Sequence, residues 1–290
     1  MSTALVTDST AYLPPALLEG LGVRVVPLHV VVGGADHAEG VDIEPAAVAA
    51  ALRSFTIVST SRPAPAAFLA AYRAAADAGA DAVVSVHISG EMSGTIGSAA
   101  IAAEDSPVPV IVVDSRALGM VMGYAVLTGA RLAAGGASAP EVADAVRATC
   151  AASTVVFYVD TLEYLRRGGR IGKAGALVGS ALSIKPILGL RDGHIVPLER
   201  VRTSTRAIAR IEDLAAEAAA SRPPGSSGVD IAIHHLDSPE RAERLAERLR
   251  ARLGEDVGLL VVELGAVVGA HVGPGTLAVA VVPRMPAPVR

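Results

Sequence analysis

The chain has 290 residues, of which 51% are hydrophobic and 19% are charged, and its formal net charge at pH 7 is −4. The composition excludes a disordered chain, and the length is sufficient for two domains. Aromatic residues make up only 3% and no basic block occurs, so we expect no nucleic-acid partner. The one cysteine, Cys150, excludes an intrachain disulfide and a multi-cysteine metal site.

The N-terminal run MSTALVTDST has no basic region and reaches Asp8 too early for a signal peptide. The most apolar stretch, residues 257–282, is interrupted by Glu263, His271 and Pro274. It therefore lacks the roughly 20 apolar residues that a membrane-spanning helix needs. We expect a cytoplasmic protein that contacts a membrane at most transiently.

Apolar runs of strand length alternate along the chain with helical patterns that Pro, Ser or Asp opens. This order predicts an α/β fold with parallel or mixed sheets, divided into an N-terminal domain (1–153) and a C-terminal domain (154–290). A hairpin should turn at Asp192-Gly193. The predicted strands are 4–6, 23–32, 81–88, 108–114, 154–159, 229–234, 257–264 and 277–282, and the predicted helices are one opened by Pro14-Pro15, 42–52, 66–78, 96–103, 120–134, 138–151, 174–183, 204–220 and 238–253.

Hydroxyl-bearing loops follow several of these strands. Thr60 and Ser61 precede the helix 66–78, and Ser93 and Thr95 lie in the loop SGEMSGTIGSA after strand 81–88. The ends of strands in an open sheet are where ligands bind, and a helix N-terminus favours an anion. Both loops are equally consistent with simple helix caps. His271 lies in a third Gly-punctuated segment, GAHVGPG, which we expect to be a loop before the last strand.

Three common chemistries fail on residue spacing. The motif GEMSG places serine three residues after glycine, whereas a nucleophile elbow needs G-x-S-x-G. In the charged segment 160–173, Arg167 stands where a P-loop needs its first glycine and Ala174 replaces the Ser or Thr. His234 and His235 are adjacent, whereas two histidines that bind a metal ion from one helix lie four residues apart. The basic residues of segment 160–173 are either a solvated patch or an anion or partner contact.

Seven short motifs are spread across essentially the whole chain. They are TDS (7–9), TSRP (60–63), SGTIGSA (93–99), DSR (114–116), LEYLRRGGRI (162–171), KPIL (185–188) and HVGPG (271–275). In order and spacing they resemble the DegV family, the bacterial fatty-acid-binding subunit of a two-part fatty acid kinase. The resemblance implies two α/β domains with a long-chain fatty acid buried between them.

The resemblance also implies roles for individual residues. Thr60 and Ser93 resemble the groups that bond the acyl carboxylate, and His271 resembles the histidine of the same network. Residues beside these are Ser61, Gly94 and Thr95, while Arg170 and Arg202 resemble arginines that engage the kinase subunit or the phosphoryl group. The chain departs from the family at Arg62, where an uncharged polar residue is usual, and at Gly90, where serine is usual.

By this resemblance the protein is a lipid carrier and co-substrate rather than an enzyme. It needs no metal or cofactor of its own, because a separate kinase subunit carries ATP and Mg²⁺ and phosphorylates the bound carboxylate to an acyl phosphate. Two other functions stay open. One is a self-contained serine esterase or phosphotransferase that uses Ser93 with His271, and the other is a small-acid sensor with a similar cleft.

Overall fold

The computed structural model describes residues 2–177, 184–254 and 257–285, and these residues form helices and three β-sheets. The predicted α/β fold with parallel and mixed sheets is therefore confirmed. The strands are β1 (Thr3–Asp8), β2 (Arg24–Val26), β3 (His29–Val32), β4 (Ala35–Ala38), β5 (Val58–Ser61), β6 (Ala82–His87), β7 (Val110–Asp114), β8 (Thr154–Tyr158), β9 (Lys185–Arg191), β10 (His194–Val201), β11 (Val229–His235), β12 (Gly258–Glu263) and β13 (Leu277–Pro283). The α-helices are α1 (Pro15–Leu18), α2 (Pro45–Arg53), α3 (Pro65–Asp77), α4 (Thr95–Glu104), α5 (Met120–Ala134), α6 (Ala139–Ala152), α7 (Glu163–Arg167), α8 (Ser204–Ala220), α9 (Pro239–Leu253) and α10 (Ala266–Val272).

A parallel sheet of order β2-β1-β6-β7 forms the centre of the N-terminal half. Side chains alternate across it, so Leu5 packs with α5 and α6 on one face, and Val6 packs with α3 and α4 on the other. Both faces are covered by helices, which explains why β6 is buried along nearly its whole length. The ligand-binding edge expected for such a sheet is where β6 leads into the loop before α4.

The single strand predicted over residues 23–32 is wrong. The segment breaks at Pro27 into β2, which pairs with β1, and β3, which joins a separate antiparallel sheet of order β4-β3-β5. Pro27 has no N–H to donate to a ladder, and the parts of the segment before and after it pair with different sheets. Strand β4, after the Gly33-Gly34 turn, is too short and too polar to be recognised from its residues. This small sheet matters because β5 carries Thr60 and Ser61.

A mixed sheet of order β10-β9-β8-β13-β11-β12 occupies the C-terminal half. Its β9–β10 hairpin turns at Asp192-Gly193, as predicted, and both residues have positive φ (51° and 81°), which a two-residue type I′ turn requires. Helices α8 and α9 cover one face, and the other face packs partly against the start of α5. The division at residue 153/154 stays a prediction.

Two further segments differ from the sequence-based expectation. Residues 269–275, predicted as a loop, contain the second half of α10 followed by a turn, and Gly273 (φ 77°) ends the helix. Six of the seven residues of α10 are small or apolar and buried, with His271 the exception, so the helix has no hydrophobic periodicity to reveal it. In the predicted helix 174–183, the structure has a 3₁₀ helix over Gly172–Leu177, and residues 178–183 lie outside the described part. No helix of the described ranges has the length and hydrophobicity to cross a bilayer.

Candidate functional site

The site is built around a contact between β5 and α10. Thr60 Oγ1 lies 2.8 Å from His271 Nε2, and both side chains are half-buried. Strand β5 is held by its antiparallel pairing with β3, in which Thr60 lies opposite Val30. Thus a hydroxyl from the small sheet and an imidazole from the C-terminal half form one hydrogen-bonded pair.

The surroundings of His271 decide which ring nitrogen carries the proton. The Nδ1 atom is buried and has no hydrogen-bond partner among the described residues. Gly168 lies so close that a Cβ at this position would collide with Nδ1. An N–H donor buried without an acceptor is costly, so we assign the proton to Nε2, which then donates to Thr60 Oγ1. In this arrangement the hydroxyl proton of Thr60 is left to donate to a further acceptor, such as a carboxylate.

Burial and, to a smaller extent, the positive charge of Arg170 together lower the pKa of His271 to about 4. The imidazole is therefore neutral at physiological pH, as the tautomer assignment requires. A neutral imidazole beside a threonine hydroxyl can orient that hydroxyl without placing a full counter-charge in the site.

This lowered pKa predicts a pH dependence of stability. The unfolded chain, with a histidine pKa near 6.5, binds more protons than the native state between roughly pH 6.5 and 4. Acidification through this window should therefore cost up to about 1.4 kcal/mol per pH unit for His271. Urea unfolding at pH 7 and pH 5 should show a smaller loss for His271→Gln than for the wild type. His234, whose pKa is also lowered to about 4 by burial, causes the same loss of stability in the wild type and in the variant. Equal losses in the two proteins would contradict the prediction.

The loop between β6 and α4 supplies the second group of polar atoms. Ser93 Oγ lies 2.8 Å from Thr95 Oγ1, and Gly94 is the N-cap of α4. Thr95 is fully buried and does not line the cavity described below, whereas Ser93 and Gly94 do. A Cβ at Gly94 would collide with the guanidinium of Arg62, so this side chain, which directly follows β5, reaches the loop before α4.

Arg170 joins the same loop to the chain after α7. Its Nε donates to the carbonyl of Met92 at 3.0 Å, and Nη1 donates to the carbonyl of Gly168 at 2.7 Å. The side chain is exposed and borders the cavity. A guanidinium fixed by two carbonyls is well placed to meet an anion that arrives from solvent.

A cavity of about 220 Å³ lies behind these polar groups. The residues that line it come from both halves of the chain. Its polar lining comprises Thr60, Ser61, Arg62, Ser93 and His271, with Arg170 and Gly94, and its apolar lining comprises Leu28, Ile88, Met92, Leu118, Leu165, Ile195, Val267, Val268 and Val272. The arrangement can accommodate an aliphatic ligand with a small polar end group.

Of the site residues predicted from sequence, all but Thr95 and Arg202 line this cavity. Thr95 contacts it through Ser93, and Arg202 is exposed directly after β10. Of the two departures from the family pattern, Arg62 lines the cavity, while the N–H of Gly90 donates to Asp114 Oδ1 at 3.2 Å. The functions assigned to these residues stay predictions.

A Ser93–His271 dyad is not formed here, because Ser93 bonds Thr95 and His271 Nε2 bonds Thr60. Sequence reasoning missed the apolar wall that α10 contributes. The only sequence signal for this helix is the run of small and β-branched residues AVVGAHV, and a buried strand would show the same run. Within the described residues no group of three or more His, Cys, Asp or Glu side chains could hold a metal ion.

Comparison with known proteins places this geometry in a family. Residues 2–284 match the model of a family described as uncharacterised proteins of the DegV family. A DegV domain-containing protein of Streptomyces coelicolor is 50% identical over 281 residues, which cover 97% of this chain and 98% of that protein. The crystal structure of DegV from Bacillus subtilis, described as a fatty acid binding protein, has a TM-score of 0.87 at 32% identity and covers 97% of this chain and 99% of its own.

A second solved structure gives the same result. It shows fatty acid binding of a DegV family protein from Thermus thermophilus, with a TM-score of 0.90 at 36% identity, and covers 98% of this chain and 100% of its own. Because the family model spans nearly the whole sequence and relatives above 30% identity align end to end, this chain belongs to the DegV family.

Proposed function

We propose that this protein binds a long-chain fatty acid in the cavity behind Thr60 and His271 and presents the carboxylate to a separate ATP-dependent kinase subunit. The observation that carries the proposal is one cavity that combines nine apolar side chains with hydroxyl and imidazole groups. Fatty acid binding by the Thermus and Bacillus relatives supports the same ligand class.

The energetics favour an acyl chain over a small polar acid. Each buried methylene contributes about 0.8 kcal/mol, so a sixteen-carbon tail gains roughly 12 kcal/mol before association costs. The carboxylate then needs only to be satisfied by hydrogen bonds. The hydroxyl of Thr60, oriented by His271, and that of Ser93 are suitable donors.

Mass spectrometry of the purified protein tests the ligand. Organic extraction should release a co-purified fatty acid, and delipidated protein should bind added oleate or palmitate. Methyl oleate, which has the tail without the charged head group, should bind more weakly than oleate. If extraction returns no lipid and neither fatty acid binds, the proposal fails, and a small polar ligand would then fit the cleft better.

The second half of the proposal concerns the reaction. A carboxylate oxygen would form a bond to the γ-phosphorus of ATP as the bond to the bridging oxygen breaks, which releases ADP and yields an acyl phosphate with no net proton transfer. Arg170, exposed at the edge of the cavity, would neutralise charge on the transferred phosphoryl group. Arg202 lies outside the cavity lining and would contact the kinase instead.

Trapping with hydroxylamine tests this step, because it converts an acyl phosphate to a stable hydroxamate. The oleate-loaded protein with ATP and Mg²⁺ should form hydroxamate only when an ATP-binding kinase subunit from the same organism is added. Equal product without the kinase would indicate a self-contained enzyme and contradict the proposal.

A further inference from the structure

A buried carboxylate that is not part of the cavity lining holds the first turn of α10. Glu39 follows β4 and is only 5% exposed. The N–H of Val267, the second residue of α10, donates to Glu39 Oε1 at 2.8 Å. The next N–H, of Val268, donates to the hydroxyl oxygen of Tyr12 at 3.3 Å. Both acceptors therefore come from the N-terminal part of the chain and satisfy donors that a helix start leaves unpaired.

The second carboxylate oxygen of Glu39 extends this network to another wall of the cavity. Ser9 Oγ donates to Glu39 Oε2 at 2.5 Å and accepts a hydrogen bond from the N–H of Leu28 at 3.0 Å. Leu28 lines the cavity. Burial raises the pKa of Glu39, whereas the bonds from Ser9 and Val267 favour the ionised form. The carboxylate thus ties the loop after β1, the start of β3 and α10 together.

Helix α10 carries a large share of the candidate site. Four of its seven residues line the cavity, namely Val267, Val268, His271 and Val272. Two turns of hydrogen-bonded helix move as a unit, so a displacement of the first turn displaces His271 as well. The distance from His271 to Thr60 therefore depends on how the start of α10 is held.

The carboxylate of Glu39 lies very close to the backbone at Gly265. Gly265 is the N-cap of α10, and a Cβ there would collide with Glu39 Oε1 and lie 2.5 Å from Tyr12 Cε1. Its φ of −68° is open to any residue, so backbone conformation does not require glycine. What requires it is room for Glu39 and for the ring of Tyr12. An alanine at this position would push the carboxylate and this ring away without changing any charge.

We propose that Glu39 is a positioning residue for the acyl-binding site, whose buried carboxylate sets α10 so that His271 meets Thr60 and the apolar wall takes its shape. For ligand binding the proposal rests on the proposed function. The placement of His271 is independent of it and can be measured in the ligand-free protein.

Three variants separate positioning from simple support of the fold. Glu39→Ala removes both acceptor oxygens, Glu39→Gln keeps an oxygen for the Val267 N–H, and Gly265→Ala keeps the charge but moves it. The matched controls are Glu44→Gln, an exposed carboxylate that makes no cap bond to α2, and Gly97→Ala, where no atom lies within 4 Å of the added Cβ.

The first measurement is the ¹⁵N spectrum of the His271 ring in ligand-free protein. Glu39→Ala and Gly265→Ala should shift the Nε2 and Nδ1 signals toward those of a histidine that exchanges between tautomers. Glu39→Gln and both controls should keep the wild-type signals. Tyr12→Phe removes the acceptor of the Val268 N–H and the bond that the Tyr12 hydroxyl donates to Glu39 Oε1 at 3.4 Å, but keeps the carboxylate. It provides a milder variant should Glu39→Ala fail to fold, and it should shift the signals in the same direction.

The second measurement is the affinity for oleate. We expect about a tenfold loss for Glu39→Ala and Gly265→Ala and a change within about threefold for Glu39→Gln and the controls. Wild-type His271 signals in every folded variant would overturn the positioning proposal, whatever the affinity. If the wild type itself binds no oleate, the proposed function fails, and the ring spectrum alone still decides the role of Glu39.

Discussion

Thr60→Val is expected to weaken oleate binding by about 10- to 100-fold while the protein stays folded. Valine has nearly the shape of threonine but cannot donate a hydrogen bond to the carboxylate or accept one from His271 Nε2, which lies 2.8 Å from Thr60 Oγ1 in the wild type. A hydrogen bond to a charged group is worth roughly 1.5–3 kcal/mol, and each 1.4 kcal/mol is a tenfold change in affinity. Isothermal titration of delipidated protein with oleate measures the loss.

The control for this variant lies on the same strand. Ser59 is exposed and is adjacent to Thr60, so its side chain points to the opposite face of the small sheet. Ser59→Ala should bind oleate as the wild type does. Methyl oleate should lose less affinity than oleate on Thr60→Val, because its ester carbonyl can accept only a neutral hydrogen bond, which is weaker than one to a carboxylate. If Thr60→Val retains wild-type affinity for oleate, Thr60 does not bind the head group.

Asp8→Ala is expected to lower the free energy of unfolding by about 3–5 kcal/mol, the largest loss we predict for a single substitution here. Asp8 is completely buried. Its Oδ1 accepts bonds from the N–H and hydroxyl of Thr10, and its Oδ2 accepts from the N–H of Ile88 at 3.0 Å and lies 3.1 Å from His87 Nδ1. Alanine would leave these donors buried without an acceptor.

The network behind Asp8 explains the size of this effect. His87 Nε2 lies 2.7 Å from Ser85 Oγ, which also accepts a bond from the hydroxyl of Tyr72 at 2.9 Å. All three side chains are fully buried. Removing the carboxylate at one end disturbs a chain of polar groups that water cannot reach. The loss in the free energy of unfolding therefore exceeds that of one hydrogen bond.

An exposed pair of the same chemistry is the matched control. His29 Nδ1 lies 2.9 Å from Asp36 Oδ2, and the Asp36 side chain is 58% exposed. Asp36→Ala should cost no more than about 1 kcal/mol, since exposed ion pairs contribute little. Urea unfolding of both variants at pH 7 makes the comparison. Similar losses for Asp8→Ala and Asp36→Ala would show that the buried network contributes nothing beyond a surface pair.

Local sequence signals predicted most of the elements. The capping box of α6 is an example, in which the N–H of Ser138 donates to Glu141 Oε2 at 2.8 Å as the spacing predicts. The hairpin at Asp192-Gly193 is another, because few residue pairs adopt two positive φ values. Asp8 is a third, since its side chain accepts the N–H of Thr10 and caps the 3₁₀ helix over Ser9–Ala11. Each of these depends on residues within a few positions of one another.

The candidate site could be predicted only in part. Ordered motifs selected Thr60, Ser93 and His271, and the structure brings all three to one cavity. The motifs carry no information on which hydroxyl bonds the imidazole, and the dyad of Ser93 with His271 that we considered from sequence is not formed. Residues 269–272 of α10 were predicted as a loop because a segment that is buried on nearly every side lacks periodicity.

The sequence by itself determined the α/β class, the order of most helices and strands, and the family, because these follow from local periodicity, caps and motif spacing. Only the tertiary structure decided that Pro27 sends the chain into a separate sheet, that Thr60 meets His271, and that Glu39 lies at the start of α10. Each of these contacts joins segments far apart in the chain. They form because burying the apolar faces of the sheets and helices brings the segments together, and the buried polar groups must then find partners.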